Sequence, residues 1–303
     1  IKELDQYMSK DQKSAASFKT ILYTTLALLA FAANSVICRY ALKDHAIDPG
    51  LFTSIRLISG AMILEILVFV SKERRKEKSK GSWVSAAMLF LYAAAFSFAY
   101  VSLETGIGAL IIFGVVQITM ISSSIISGYK LSLIEWLGII LALSGFLYLL
   151  LPGASAPSLT GFLLMTLSGI AWGIYSLRGK KSKHPLVDTA YNFLRSIPFL
   201  ILILYFLAQE SNFTTEGVLL ALLSGIVTSG LGYTIWYLAL RDLNSIQAAI
   251  VQLLVPVLAA IGGVIFIGEI ISFRLTASSL MILGGILLLI LKKIPKKDGN
   301  TSR

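Results

Sequence analysis

Two arginines stand inside long apolar runs, where a charged side chain needs a reason. Arg56 follows Pro49 by seven residues, and Arg195 follows Pro185 by ten. In a membrane helix each would cost about 2.5–3.5 kcal/mol near the centre on insertion scales. At about 1.5 Å of rise per residue, Arg56 lies roughly 10 Å into its run. Asn192 repeats its position, because Pro185-x6-Asn192 copies Pro49-x6-Arg56. Asn192 and Arg195 are three apart and share a helix face, with Tyr191 beside them. Guanidinium and amide groups on one wall can hold a carboxylate or phosphate. The same arginines would serve structure alone if each capped backbone carbonyls or paired with an acid.

Other polar groups widen the set. Asn34, Gln117 and Gln252 lie inside the first, fourth and ninth runs, where an unpaired amide is costly. Trp172 with Tyr175, and Tyr233 with Trp236, are pairs spaced by three, and Tyr100 sits near the end of the third run. Such rings can stack on or hydrogen-bond a substrate, or anchor a helix at the membrane interface. Glu65 lies nine residues beyond Arg56, on the opposite helix face. It either carries a coupling proton or reaches the interface beside Lys72. Glu104, Glu135, Asp242 and Glu269 fall at run ends and read as caps or interface groups.

Several chemistries drop out. Gly173 and Gly179-Lys180-Lys181 miss the phosphate-loop spacing and the Ser or Thr after its lysine. The two histidines, His45 and His184, lie in loops, and Cys38 is the one cysteine. No disulfide, metal site or nucleophile–base pair is expected, so the chain is read as neither an enzyme nor a cofactor protein. Asn212-Phe213-Thr214 fits a glycosylation sequon, a cheap pattern.

Hydrophobic residues make up 56% of the chain and charged ones 14%, and mean hydropathy is +0.81. A soluble domain of that composition lacks the polar surface to cover its core, which leaves an integral membrane protein. Ten spans are expected, at 20–40, 50–71, 83–102, 107–127, 134–151, 159–177, 187–208, 217–239, 246–267 and 275–291. The net charge of +10 does not point to nucleic acid, because it sits in short loops between these spans. Alternate loops and both tails hold 21 of the 26 Lys and Arg, against Arg39, Lys43 and Arg274 on the other side. That bias places both termini, 1–19 and 292–303, in the cytoplasm of a multi-pass protein of the inner membrane. The first 19 residues are polar and the run after them is too long for a signal peptide, with Met8 a candidate native start. Expected partners are a small-molecule substrate and lipid, with the chain a monomer or homodimer.

The chain also repeats itself. Gly268, Ser272, Gly285 and Ala249 match Gly128, Ser132, Gly145 and Ala109 at one constant offset. The units are 20–151 and 159–291. Each holds five spans, an odd number, so the second enters the membrane inverted. The fold expected is all-α, ten transmembrane helices in two inverted five-helix repeats, an architecture that builds transporters with a site at the repeat interface.

In its motifs the sequence resembles the ten-helix EamA branch of the drug/metabolite transporter superfamily. The motifs are Pro49-x6-Arg56, Ala171-Trp172-Gly173, Pro256 within the ninth span, Gly268-Glu269 after it and Gly284-Gly285 in the tenth. The likeness covers residues 20–292. The first half departs from the pattern, with Tyr129 where the second has Glu269, Val116 for the proline, and Ala32-Ala33 for Trp-Gly. The resemblance implies a secondary transporter of amino acids or related metabolites and drugs, commonly exporting, without a cofactor. Arg195, Arg56 and Asn192 would then hold an anionic group while the tyrosines and Trp172 accommodate the remainder. The alternatives are an exporter of organic cations using Glu65 and the rings, a solute channel, and a non-transporting scaffold.

Overall fold

The computed structural model describes residues 2–71, 81–153, 156–180, 182–203, 213–240, 242–243 and 245–291. The C-terminal tail, the basic stretch 72–80, the stretch 204–208 of the seventh expected span and Asn212 of the sequon lie outside them. Among the described residues ten helices are long and apolar enough to cross a membrane. They are α1 (Phe18–Lys43), α2 (Pro49–Val70), α3 (Trp83–Tyr100), α4 (Thr105–Ile126) and α5 (Leu133–Leu150). After them come α6 (Leu159–Gly179), α7 (Pro185–Ile203), α8 (Thr215–Leu240), α9 (Gln247–Ile267) and α10 (Phe273–Ile290). Their ends differ from the expected spans by a few residues, and α1 continues a helix that begins at Lys2. Large apolar side chains such as Phe69, Ile126 and Ile270 point out of the bundle, where lipid would solvate them.

Local chemistry sets the helix ends. The Asp48 carboxylate accepts from Gly50 and Leu51 N–H at 2.7 and 3.2 Å, with Pro49 at the first helical position of α2. Ser158 and Thr214 cap α6 and α8 in the same way. The sequence repeat turns out to be a repeat of turns. Gly128 (φ +92°) ends α4 and Gly268 (φ +75°) ends α9, both left-handed, where a Cβ would be strained. Four residues on, Ser132 forms a capping box with Glu135 at α5, and Ser272 Oγ accepts from Leu275 N–H at 3.1 Å at α10. A Cβ on Gly138 or Gly285 would strike the other's carbonyl oxygen, so α5 and α10 pack at backbone distance.

Helix pairing carries the duplication into three dimensions. α5 packs on α10, α2 on α7 and α4 on α9, each joining equivalent helices of the two repeats. The α3–α6, α4–α6 and α2–α8 contacts recur as α8–α1, α9–α1 and α7–α3. That exchange is what two five-helix repeats of opposite orientation produce. Irregular turns interrupt several spans, among them a π-helix at Gly263–Ile267 in α9. α7 tightens to a 3-10 turn at Ile197–Leu200, which contains Pro198. α8 widens to a π-helix over Ser224–Leu231, a distortion frequent at functional sites.

α1 begins on one face of the bundle, and the chain returns there after every second helix. The sequence puts the lysine-rich loops on that side, and it is called the basic face below.

Candidate functional site

A cavity of about 830 Å³ opens at the basic face between α3, α4, α6, α7 and α8. Polar side chains recur along its wall, with Ser82, Ser85, Ser123, Ser127, Arg178 and Asn192 among the lining. Arg178 donates to Ser85 and Ser82 Oγ at 3.1 and 3.0 Å, and Asn192 Oδ1 accepts from Ser82 N–H at 2.8 Å. These bonds tie α6 and α7 to the start of α3. Tyr129, also on the wall, donates its hydroxyl to Glu135 at 2.8 Å. That bond holds the phenol proton and raises the Tyr129 pKa, with burial a smaller cause.

The inner end of this vestibule is closed by rings. Trp172 stacks on Tyr175, which lines the vestibule, with centroids 5.3 Å apart. It also meets Tyr92 at 4.7 Å and Tyr233 at 5.1 Å. Phe31 of α1 closes on Tyr233 and Trp236 at 6.0 and 5.8 Å.

Beyond the ring layer lies a small pocket of about 30 Å³, lined by Asn34, Ser35 and Thr228 and by the rings of Tyr92, Phe96, Trp172 and Tyr233. The Asn34 amide is tied to Ser224 and Thr228 hydroxyls at 2.7 and 2.9 Å. Arg56 sits behind Tyr92 and Phe96, only 1% exposed. Its Nε donates to Ser229 Oγ at 3.1 Å and its Nη2 to the Tyr92 hydroxyl at 2.8 Å. The guanidinium carbon lies 5.1 and 5.2 Å from the centroids of the Tyr92 and Phe96 rings. Gly225 permits this, since a Cβ there would strike Ser59 and the Arg56 carbonyl. Nη1 and the Tyr233 hydroxyl are buried without a hydrogen-bond partner. Among the described residues the hydrogen-bond and ring partners of Arg56 are all neutral, and an uncompensated buried charge is among the costliest groups a fold can keep.

The face opposite the vestibule is sealed. Arg39 near the end of α1 donates to the Tyr100 and Val101 carbonyls at 3.0 and 2.9 Å and pairs with Glu269 at 3.4 Å. Both Glu269 carboxylate oxygens accept from Thr105 N–H, at 3.1 and 2.9 Å, at the positive end of α4. Further ties join Thr214 to Ala46, Ser102 to Ser158, and Arg274 to Leu151 and Pro152. Glu104 lies beside this latch. Burial, then the charge of Glu269, raises its carboxyl pKa above the ordinary 4.5, while Arg39 pulls it down.

Of the residues singled out from sequence, Asn34, Arg56, Trp172 and Tyr233 come together at the pocket, and Tyr175 and Asn192 line the vestibule. Tyr100 is buried under the latch, donating to the Thr105 carbonyl at 3.3 Å. Trp236 packs with Phe31, Ala27 and Ala239. Gln117 is buried in α4, Gln252 is half-buried beside the Leu253 irregularity of α9, and Glu65 is half-buried in α2. Arg195 stands apart from Arg56, its guanidinium 5.5 Å from the Trp83 ring and 5.9 Å from that of Tyr191. Tyr92 and Ser229 were not among the residues singled out, and Glu269, read as a cap or interface group, was not paired with Arg39. Tyr92, Phe96 and Tyr100 recur every four residues along α3, a stripe that could have pointed to the first of them.

A profile of the EamA-like transporter family matches residues 18–151 and again 159–291. The chain belongs to the EamA-like transporter family. An uncharacterized protein of Pseudomonas aeruginosa is 49% identical, covering 91% of this chain and 96% of that protein. The uncharacterized transporter YoaV of Bacillus subtilis is 22% identical, covering 80% of this chain and 87% of its own length. The threonine/homoserine exporter RhtA of Escherichia coli is 29% identical over 51% of this chain and 52% of that exporter. A solved crystal structure shares the fold with a TM-score of 0.62 at 18% identity, covering 91% of this chain and 97% of its own.

Proposed function

We propose that this family member is a secondary transporter that moves a small organic metabolite, an amino acid or related carboxylate, by alternating access. The observation that carries the reading is an asymmetry along one path. A vestibule lined with serines leads from the basic face to a ring layer, a small pocket lies behind that layer, and the far side is latched by Arg39 and Glu269. A site reached from one side at a time is what alternating access requires, and inverted repeats supply the second state. We place the vestibule and both termini on the cytoplasmic side of the inner membrane, a reading that the bias of basic residues supports. Export is the proposed direction, in keeping with what the RhtA name says of that relative.

The work we propose for the pocket is binding and release, with no enzymatic step and no cofactor. The substrate and surrounding lipid are the proposed partners of a monomer or homodimer. An organic cation as substrate is disfavoured by Arg56, whose positive charge lies against the wall of the pocket. Counterflow in proteoliposomes tests the reading against a channel. Labelled solute should accumulate transiently against unlabelled solute trapped inside. Simple equilibration with no overshoot, for a solute that binds, would sink it.

A further inference from the structure

The chemistry around Arg56 narrows the substrate beyond that reading, on which this inference rests. The guanidinium is held by neutral hydroxyls and by ring faces, and no described carboxylate is bonded to it. Two polar atoms stay buried and unpartnered, Nη1 of Arg56 behind the Tyr92 and Phe96 rings and the hydroxyl of Tyr233, which lines the pocket. Among the described residues no acidic side chain lines the pocket. The site therefore carries one permanent positive charge, in surroundings of low polarity where an unbalanced charge is expensive.

We propose that this pocket takes the carboxylate of a small monocarboxylate whose remainder is uncharged, with Arg56 and Tyr233 donating to it. Charge balance selects that class. A monoanion brings the filled site to neutrality, whereas a zwitterionic amino acid leaves the charge of Arg56 uncompensated. A dianion overshoots by one unit among the same rings. The uncharged remainder meets Phe96, Trp172 and Tyr92, which offer faces rather than carboxylates. A 2-oxo, 2-hydroxy or N-acylated acid fits this description. At about 30 Å³ the pocket has room for little more than one water, so the ligand must part the rings. Tyr92 is the group to move, because its hydroxyl now occupies the Nη2 atom that a second carboxylate oxygen would take.

The test uses ligands on matched skeletons and the purified full chain. Binding of 4-methyl-2-oxopentanoate, leucine and isopentylamine, and of phenylpyruvate, phenylalanine and phenethylamine, would be followed by thermal shift and calorimetry. On at least one skeleton the oxo acid should bind about ten-fold or more tightly than its amino acid, with no binding of the amine. Arg56→Gln should abolish oxo-acid binding, and Arg56→Lys should restore part of it. Should Arg56→Gln fail to fold, Tyr233→Phe serves instead, with several-fold weaker oxo-acid binding at unchanged thermal stability. Amino acids binding as tightly as oxo acids, no binding by any acid of the set, or oxo-acid affinity indifferent to both positions would overturn the proposal. Counterflow separates the two failures. Overshoot with an amino acid overturns this inference and leaves the transporter intact, while a bound oxo acid without overshoot removes the transporter reading.

Discussion

Two turns occupy equivalent places in the two repeats and do opposite things. Gly268 and Gly128 both close their helices with a left-handed residue, and Glu269 and Tyr129 follow them. Glu269 reaches out of its own turn to the start of α4 and to Arg39 of α1, and that face is shut. Tyr129 bonds to Glu135 within its own turn, and that face holds the vestibule. One backbone device thus serves both sides, and the residue after the glycine decides whether it also bridges the repeats. An acid can bridge because a helix N-terminus and a guanidinium both favour a carboxylate.

The latch can be broken with the largest expected effect. Glu269→Gln removes the charge that Arg39 and the α4 terminus share, interactions worth about 1.5–3 kcal/mol with charged groups. Cys38 precedes Arg39, is fully buried and is the one cysteine of the chain, so it reports opening without further engineering. Its labelling by a membrane-impermeant maleimide, applied from the latched side, should rise about ten-fold, the rate equivalent of 1.4 kcal/mol. An unchanged rate would mean that other ties hold that face closed.

The shared device is tested next. Gly268→Ala and Gly128→Ala should each cost about 1–2 kcal/mol, from the left-handed backbone alone. A Cβ at either site meets nothing within 4 Å, so no clash contributes. Losses in thermal stability that differ widely between the two would show that the turns are not equivalent. Tyr129→Phe should cost less, about 0.5 kcal/mol for one half-exposed hydrogen bond, and should leave Cys38 labelling unchanged. A rise in that labelling would couple the two faces through this turn.

The smallest effect concerns pH. The raised pKa of Glu104 means that the folded protein favours its protonated form. That contribution is present below the ordinary carboxylate value of 4.5 and is lost as pH rises through the higher folded value. Glu104→Gln should therefore gain melting temperature over the wild type between acid and neutral pH. A variant that tracks the wild type at every pH would remove Glu104 from the electrostatics of the latch.

Much of this was legible in the sequence. The turn glycines and capping serines appeared as a repeat before their φ angles were known, because glycine and serine do at helix ends what few other residues can. Pro49 and Pro185 marked helix starts for the same kind of reason. The candidate site was only partly legible. Arg56 and Arg195 look alike in sequence, two guanidiniums in apolar runs, yet one lies behind the pocket wall and the other against Trp83 and Tyr191.

Sequence by itself determined the membrane class, the ten spans, their duplication and the side that carries the basic loops. Each follows from local quantities, hydropathy over a helix length and charge between helices. Tertiary structure alone decided which arginine is buried with no carboxylate bonded to it among the described residues, and which face is latched. In a helix apolar on every side, periodicity does not say which side turns inward. The partners that give Arg56 and Glu269 their meaning, Ser229 and Thr105, lie on other helices, 173 and 164 residues away along the chain.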